Sequence, residues 1–207
     1  MKPAEFRAKA TAKVDEMCNF IETMPWESVN FYSSWVAQTN AFVAHTSTFL
    51  NMCNDLLPKS HPLKAQFEHH IEEEAGHEKM SKNDLKFMRS ESSHVFNFTD
   101  VFWKTQYYWI KEVGPTSHLG YSLFLEGLAA KSGPKVLNRI KAAGIKGYTF
   151  LKVHAEEDVE HFQDVLKAVD QVTDLERAHI YQNLCESMEI YYRIMNECAK
   201  VAHPQAA

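Results

Sequence analysis

The sequence predicts an all-α protein, and three of its properties lead to that class. Apolar residues recur at helical spacing along most of the 207 residues, and no convincing series of strands interrupts them. Glycine and proline number only 7 each, which leaves few turns. A hydrophobic share of 45% over this length is enough for one sizeable core. We therefore expect a single domain covering 1–207, folded as a bundle of seven or eight helices.

Prolines and glycines divide the helical periodicity into segments. Proline favours the first turn of a helix and glycine its C-terminal end. Those at or near the predicted breaks are Pro25, Pro58, Pro62, Pro115, Pro134, Gly114, Gly133 and Gly144. The most loop-like interior stretch is "RSESSHVFNFTD", 89–100. The predicted helices cover roughly 3–23, 26–56, 62–89, 99–113, 116–131, 134–143, 146–171 and 174–202.

The second predicted helix carries almost no charge. No Asp, Glu, Lys or Arg occurs between Val29 and Asn54. Polar residues such as Gln38 and Asn51 make the segment too polar for the hydrocarbon of a membrane. We expect it to be the buried central helix of the bundle.

The charge and the cysteines exclude several classes of protein. A net charge of −5 implies no basic face, so we expect no nucleic-acid partner. No pair among the four cysteines has the C-x-x-C spacing of a zinc or redox site. The first residues, "MKPAEFRAKA", lack the apolar run of a secretory signal. We expect a cytoplasmic protein with reduced thiols and no membrane partner.

Ionisable residues fall on the apolar face of the helix predicted at 146–171. At about 100° per residue, Leu151, Phe162 and Val165 form its core stripe. His154, Asp158 and His161 lie on that stripe or at its border, whereas Glu157 lies near the polar side. Such groups are costly to bury unless something pairs them, and a metal ion would do so. The alternative is a solvated run of charges with two incidental histidines.

Two other predicted helices present acids to the core. Glu74 falls within the apolar stripe of 62–89, Glu72 points away and Glu73 is borderline. Glu74 and His77 form an E-x-x-H pair, a spacing used by carboxylate-bridged di-iron bundles. Glu126 is the only acid in "LGYSLFLEGLAAKSG", 119–133, where pairing with a core histidine or arginine is the alternative to metal binding.

Three stretches resemble the heme-oxygenase-like di-iron oxidase superfamily: "EEAGH", "LGYSLFLEGLA" and "FLKVHAEEDVEHF". The resemblance spans about residues 30–170 and extends in fold to thiaminase-type and pyrroloquinoline-quinone-synthase-type proteins. It implies a heme-oxygenase-like bundle with a central metal pocket. The positions that match metal ligands are Glu74, His77, Glu126, His154, Asp158 and His161. Glu126 would be the bridging and catalytic carboxylate. Two iron ions are implied, with one tightly bound ion, or Mn or Zn in place of iron, as alternatives.

The sequence departs from this family at two points. The chain most resembles the members that oxidatively cleave fatty acids, where the histidine also follows E-x-x directly. Other members have a glutamate seven residues before the histidine, and here that position is His70. After Glu27 in its first turn, the predicted helix 26–56 has no acid before Asp55, so a second metal would be weakly held or would take a neutral ligand such as His45. The sequence therefore leaves open whether His45, His70 or Glu73 coordinates a metal ion. It also leaves open whether the protein binds one metal ion or two.

The resemblance favours an iron-dependent oxidase or oxygenase acting with O₂ on a small organic substrate. Heme oxygenase activity would need an early axial histidine, and 1–44 contains none. A thiaminase-like hydrolase would need a pocket cysteine, but Cys53, Cys185 and Cys198 are remote in sequence from the acid clusters. That hydrolase and a non-catalytic ligand- or partner-binding protein remain the alternatives. The oligomeric state also stays open, with a homodimer as one alternative.

Overall fold

The computed structural model describes residues 1–88 and 94–202, and it confirms the all-α prediction. The α-helices in those ranges are α1 (Pro3–Glu22), α2 (Val29–Val43), α3 (Thr46–Leu56), α4 (Lys64–Glu73), α5 (Glu78–Phe87), α6 (Asn97–Tyr108), α7 (Leu119–Ala142), α8 (Thr149–Ala168) and α9 (Asp174–Ala202). Three short helical segments join them: a π-helical turn at Trp109–Val113 and 3₁₀ turns at Pro115–His118 and Val169–Gln171. Counting α2 with α3 and α4 with α5 gives the seven long segments of the predicted bundle.

Two predicted helices are each divided by a turn. The segment 26–56 breaks at residues 44–45 into α2 and α3. The segment 62–89 breaks at residues 74–77, where Gly76 has a φ of +95°. Glycine adopts this left-handed backbone conformation without a Cβ clash, so it permits a sharp change of direction. Glu74 and His77 therefore flank a turn and do not lie on one continuous helix.

The predicted helices 116–131 and 134–143 form a single helix, α7, in the structure. Gly133 and Pro134 lie inside α7, where the local sequence predicted a break. A Cβ on Gly133 would lie 2.9 Å from the Cβ of Ala155 on α8. This glycine therefore allows α7 and α8 to approach closely and does not end a helix. The packing energy of that contact outweighs the local preference for a break.

The predicted loop at 89–100 ends earlier than expected. Residues 94–96 are not helical, but α6 already begins at Asn97, and 89–93 lie outside the described residues. At its C-terminal end, α6 continues into the π-helical turn, which stops at Gly114, whose φ is +144°. The prediction placed this stop correctly.

Small residues allow α7 to lie at the centre of the bundle. A Cβ on Gly120 would lie 2.2 Å from the carbonyl oxygen of Ile180 on α9. A Cβ on Gly127 would lie 2.8 Å from both Phe162 on α8 and Val14 on α1. Helices can approach this closely only where a side chain is missing. The centre of the bundle is thus built around the helix that carries Glu126.

The start of α8 is fixed by a side chain from α5. The buried Asp84 accepts a hydrogen bond of 2.8 Å from the backbone N–H of Phe150, in the first turn of α8. A carboxylate at this end also interacts favourably with the helix dipole. Because this bond links α5 to α8, it fixes their separation one turn from His154.

The uncharged helix α2 is buried along most of its length, as predicted. Within the described ranges, no helix is both long enough and apolar enough to span a membrane. All four cysteines are free thiols, and Cys18, Cys53 and Cys198 are buried.

Candidate metal centre

α8 contributes an acid between two histidines. Asp158 is buried, and its Oδ2 lies 3.2 Å from His154 Nδ1 while its Oδ1 lies 3.0 Å from His161 Nδ1. The spacings i, i+4 and i+7 place all three side chains on one helical face. The neighbouring Glu157 is exposed on 50% of its side chain and approaches only His77, at 3.9 Å. The helix thus turns Asp158 inward and Glu157 outward.

The turn between α4 and α5 provides a second acid between two histidines. Glu74 and His77 are each 9% exposed. Glu74 Oε2 lies 3.4 Å from His77 Nδ1, and Glu74 Oε1 lies 3.7 Å from His70 Nε2. His70 reaches this acid because it lies one helical turn before it on α4.

Glu126 approaches the same group from α7. It is buried, and its Oε1 lies 3.6 Å from His70 Nε2. Its other oxygen, Oε2, has no hydrogen-bond partner within the described residues. Three different parts of the chain therefore bring acids and histidines together, including all six residues predicted from the sequence.

The donor atoms form two three-residue groups that share one carboxylate. One group is His70, Glu74 and His161, and the other is Glu74, His77 and His154. In each group the donor atoms lie within 4.8 Å of one another. Glu74 is the residue common to both. The resemblance implied a bridging role for Glu126, which belongs to neither group and contacts His70 at 3.6 Å.

Histidine rings of the two segments pair in opposite order. The centroids of His70 and His161 lie 5.5 Å apart, and those of His77 and His154 lie 5.0 Å apart. The sequence carries the same H-x-x-x-[D/E]-x-x-H spacing in both segments. This repeated spacing was the signal that could have identified His70, which the sequence analysis left undecided. It becomes meaningful only when the two segments are seen to face each other.

Burial and pairing change the pKa values of several groups in this cluster. The hydrogen bond to Asp158 raises the pKa of His161 to about 9, although burial opposes this shift. Burial disfavours the charged form of Glu74, but His70 and His77 outweigh that effect and lower its pKa. Burial raises the pKa of Glu126 to about 7. The raised pKa of His161 and the lowered pKa of Glu74 favour a protonated ring and an ionised carboxylate in one cluster, where a bound cation would replace the proton.

The donor set fits divalent iron, manganese or zinc. Imidazole nitrogen and carboxylate oxygen are ordinary ligands of these ions. Three buried donor atoms of the cluster lack a hydrogen bond in the described protein: Glu126 Oε2, His77 Nδ1 and His154 Nε2. Buried polar atoms normally make hydrogen bonds, so three atoms without one in a single cluster are compatible with binding of a cation.

His45 and Glu73 take other positions. The His45 ring stacks on Trp103 with centroids 3.8 Å apart, and its Nδ1 lies 3.4 Å from the Tyr107 hydroxyl. It belongs to neither of the two donor groups. Glu73 lies at the rim, between His161 Nε2 at 3.4 Å and the exposed His69 at 3.1 Å. His45 is therefore an aromatic packing residue here, and Glu73 lies at the outer edge of the cluster.

A cavity of about 120 Å³ lies beside the cluster. Its polar wall includes His70, Glu74, Glu126, His154 and Asp158. Most of the remaining wall is apolar and comes from several helices, with Ile21, Trp26, Trp35, Phe42, Val43, Leu50, Leu125, Leu128, Val136, Phe150 and Leu151 among its members. A dry apolar cavity of about 150 Å³ is known to bind benzene, so this one accepts a molecule of about that size.

Comparison with solved structures identifies the architecture. One similar structure is a domain of unknown function with a heme oxygenase-like fold from Shewanella denitrificans OS217, with a TM-score of 0.80 and 19% identity over 97% of this chain and 93% of that one. The chain has a heme oxygenase-like fold. A TenA homolog from Pseudomonas syringae pv. tomato shares this fold, with a TM-score of 0.70 and 12% identity over 95% of this chain and 90% of that one. Comparison of the sequence with protein-family models and with curated proteins gave no match.

Proposed function

We propose that this heme oxygenase-like protein is a non-heme di-iron oxidase or oxygenase that oxidises or cleaves a small organic molecule with O₂. The observation that supports it most is the facing pair of H-x-x-x-[D/E]-x-x-H segments beside an apolar cavity. Helical bundles with carboxylate-bridged metal pairs use acids and histidines at such spacings. Iron bound there would supply the activation of O₂.

Each half of the cluster has its own role in this proposal. His70 and His161 would hold one ion, and His77 and His154 would hold the other. Glu74, which belongs to both groups, would bridge them. Asp158 accepts hydrogen bonds from the Nδ1 atoms of His154 and His161, so it orients both rings toward the centre.

Glu126 is suited to moving a proton at the cavity wall. Its pKa of about 7 allows both the protonated and the ionised form near neutral pH. Its unpartnered Oε2 is buried in the cavity lining, where a substrate or a metal could meet it. The apolar walls would exclude water and hold the hydrocarbon part of the substrate.

Iron content tests the proposal directly. Protein given Fe(II) under anaerobic conditions, then desalted, should retain about two ions per chain, as in two-metal sites generally. His70→Ala should lose at least one of them. His69→Ala is the matched control, because His69 is the adjacent histidine and 68% of its side chain is exposed. O₂ consumption with a panel of small organic substrates then tests the chemistry. Absence of bound iron in the unaltered protein would reject the proposal.

A metal-independent hydrolase of the thiaminase type is the second candidate. The likeness in fold to the TenA homolog supports it. However, the cavity-lining residues in the described ranges include no cysteine to act as a nucleophile. Hydrolysis that persists after complete removal of metal would favour this candidate over the oxidase.

A further inference from the structure

Two adjacent polar side chains, His118 and Tyr121, line the cavity without a hydrogen-bond partner. His118 ends the 3₁₀ turn at Pro115–His118, and Tyr121 lies in the first turn of α7. They are 1% and 3% exposed, and their rings stack with centroids 5.2 Å apart. Neither His118 Nδ1 nor the Tyr121 hydroxyl has a hydrogen-bond partner in the described protein. On α2, the Oγ1 of Thr39 is a third unpartnered atom among the lining residues.

Other buried polar side chains away from the metal cluster do have hydrogen-bond partners. Tyr191 also borders the cavity, but its hydroxyl accepts a hydrogen bond of 2.8 Å from Trp35 Nε1. Between α6 and α9, the buried Gln106 accepts a hydrogen bond of 2.9 Å from Asn183. An unmade buried hydrogen bond carries the full cost of desolvating the group. Besides the unpartnered atoms of Glu126 and His154 in the cluster, three such atoms therefore border the same cavity, a feature that a bound molecule would explain.

We propose that His118, Tyr121 and Thr39 form a subsite that hydrogen-bonds an uncharged polar group of a ring-sized, otherwise apolar ligand in this cavity. Under the proposed function, on which this part rests, that ligand is the substrate, and the subsite selects it and orients it against the metal cluster. The size of the cavity sets the size of the ligand, and the apolar walls set its general character.

The charge of the subsite determines which polar group it accepts. Burial lowers the pKa of His118 to about 3, and burial raises that of Tyr121 well above its usual range, so both are neutral at pH 7. Among the described residues, no lysine or arginine lines the cavity. A carboxylate at this wall would therefore lack a counter-charge. A hydroxyl, carbonyl or amide group can instead accept from Tyr121 and exchange a hydrogen bond with His118.

Calorimetric titration with phenol, benzene and benzoate tests the subsite. The 207-residue protein is titrated as purified and after anaerobic loading with Fe(II). The subsite predicts that phenol binds roughly five- to tenfold more tightly than benzene, the ratio expected for one net hydrogen bond. Tyr121→Phe should reduce that ratio to within about twofold and leave benzene affinity unchanged. Thr39→Val should reduce it partly.

Tyr191→Phe is the matched control, because its hydroxyl already has a partner. It should keep the preference for phenol but lower the Tm, since Trp35 Nε1 loses its acceptor. Tyr121→Phe should keep or raise the Tm of the ligand-free protein, because it removes an unpartnered buried hydroxyl. A purely structural role of Tyr121 would give a lower Tm instead.

Three results would overturn the subsite. One is no preference for phenol over benzene in either metal state. Another is an equal loss of that preference in the Tyr121 and Tyr191 variants. The third is benzoate binding more tightly than phenol through Tyr121. Because binding is measured with and without iron, a protein that fails to bind iron would reject the oxidase while leaving this test readable.

Discussion

Replacing Glu74 with Gln should disable both halves of the cluster at once, because Glu74 is the residue shared by the two donor groups. Each group would keep only its two histidines. Gln preserves the shape of the side chain but removes the charge that balances the cations. We expect bound iron to fall from about two ions per chain to fewer than one, and oxidase activity to disappear.

The same replacement should also destabilise the metal-free protein. Glu74 lies 3.4 Å from His77 and 3.7 Å from His70, and it is buried. Removing one partner of a buried ion pair costs about 3 kcal/mol, at the low end of the usual range because Gln retains a polar contact. For a chain of this length, that loss lowers the Tm by roughly 6–12 °C.

Iron analysis after anaerobic loading and calorimetry of the metal-free protein measure the two effects separately. Glu72→Gln is the control, since Glu72 is an exposed acid two residues away. It should bind iron and unfold as the unaltered protein does. If Glu74→Gln retained full iron and the original Tm, Glu74 would be neither a shared ligand nor an ion-pair partner.

Three further predictions follow from the described contacts. Asp158→Ala should lose at least one metal equivalent and all oxidase activity, whereas Glu157→Ala should keep its metal; equal iron contents would refute the assignment of faces on α8. Because Asp158 raises the pKa of His161 from its usual 6.5 to about 9, this stabilisation is complete below pH 6.5 and is lost as the pH rises to 9. The Tm of metal-free protein should fall across that window, and less so in His161→Gln; an unchanged slope in the variant would contradict the reasoning. Gly120→Ala should lower the free energy of unfolding by about 1–3 kcal/mol in urea, because its Cβ would meet backbone atoms of α9; an unchanged urea midpoint would show that α7 can move aside.

Local periodicity was sufficient to predict α8 and the face of each residue on it. The helix is continuous, so a constant rotation per residue correctly placed Asp158 inside and Glu157 outside. The same method found Glu74 and His77, although the helix containing them is broken. The turn at Gly76 returns both side chains to the interior, so their burial survives the error in the predicted helix.

Local signals were misleading where distant segments meet. Gly133 and Pro134 predicted a helix end, but the contact of Gly133 with Ala155 keeps α7 continuous. The sequence left open whether His45 is a ligand; in the structure its ring stacks on Trp103, a partner that lies far along the chain. In both cases the deciding contact is with a residue remote in sequence, so no local pattern could reveal it.

The sequence by itself determined the fold class, the acids and histidines that face inward, and the lack of charge along α2. These depend on periodicity and composition, which are properties of neighbouring residues. Only the tertiary structure decided that His70 joins the cluster, that Glu74 is common to both donor groups, and that His118 and Tyr121 lack partners beside the cavity. Each of these depends on the distance between groups on separate helices, and packing sets that distance only when the whole bundle has assembled.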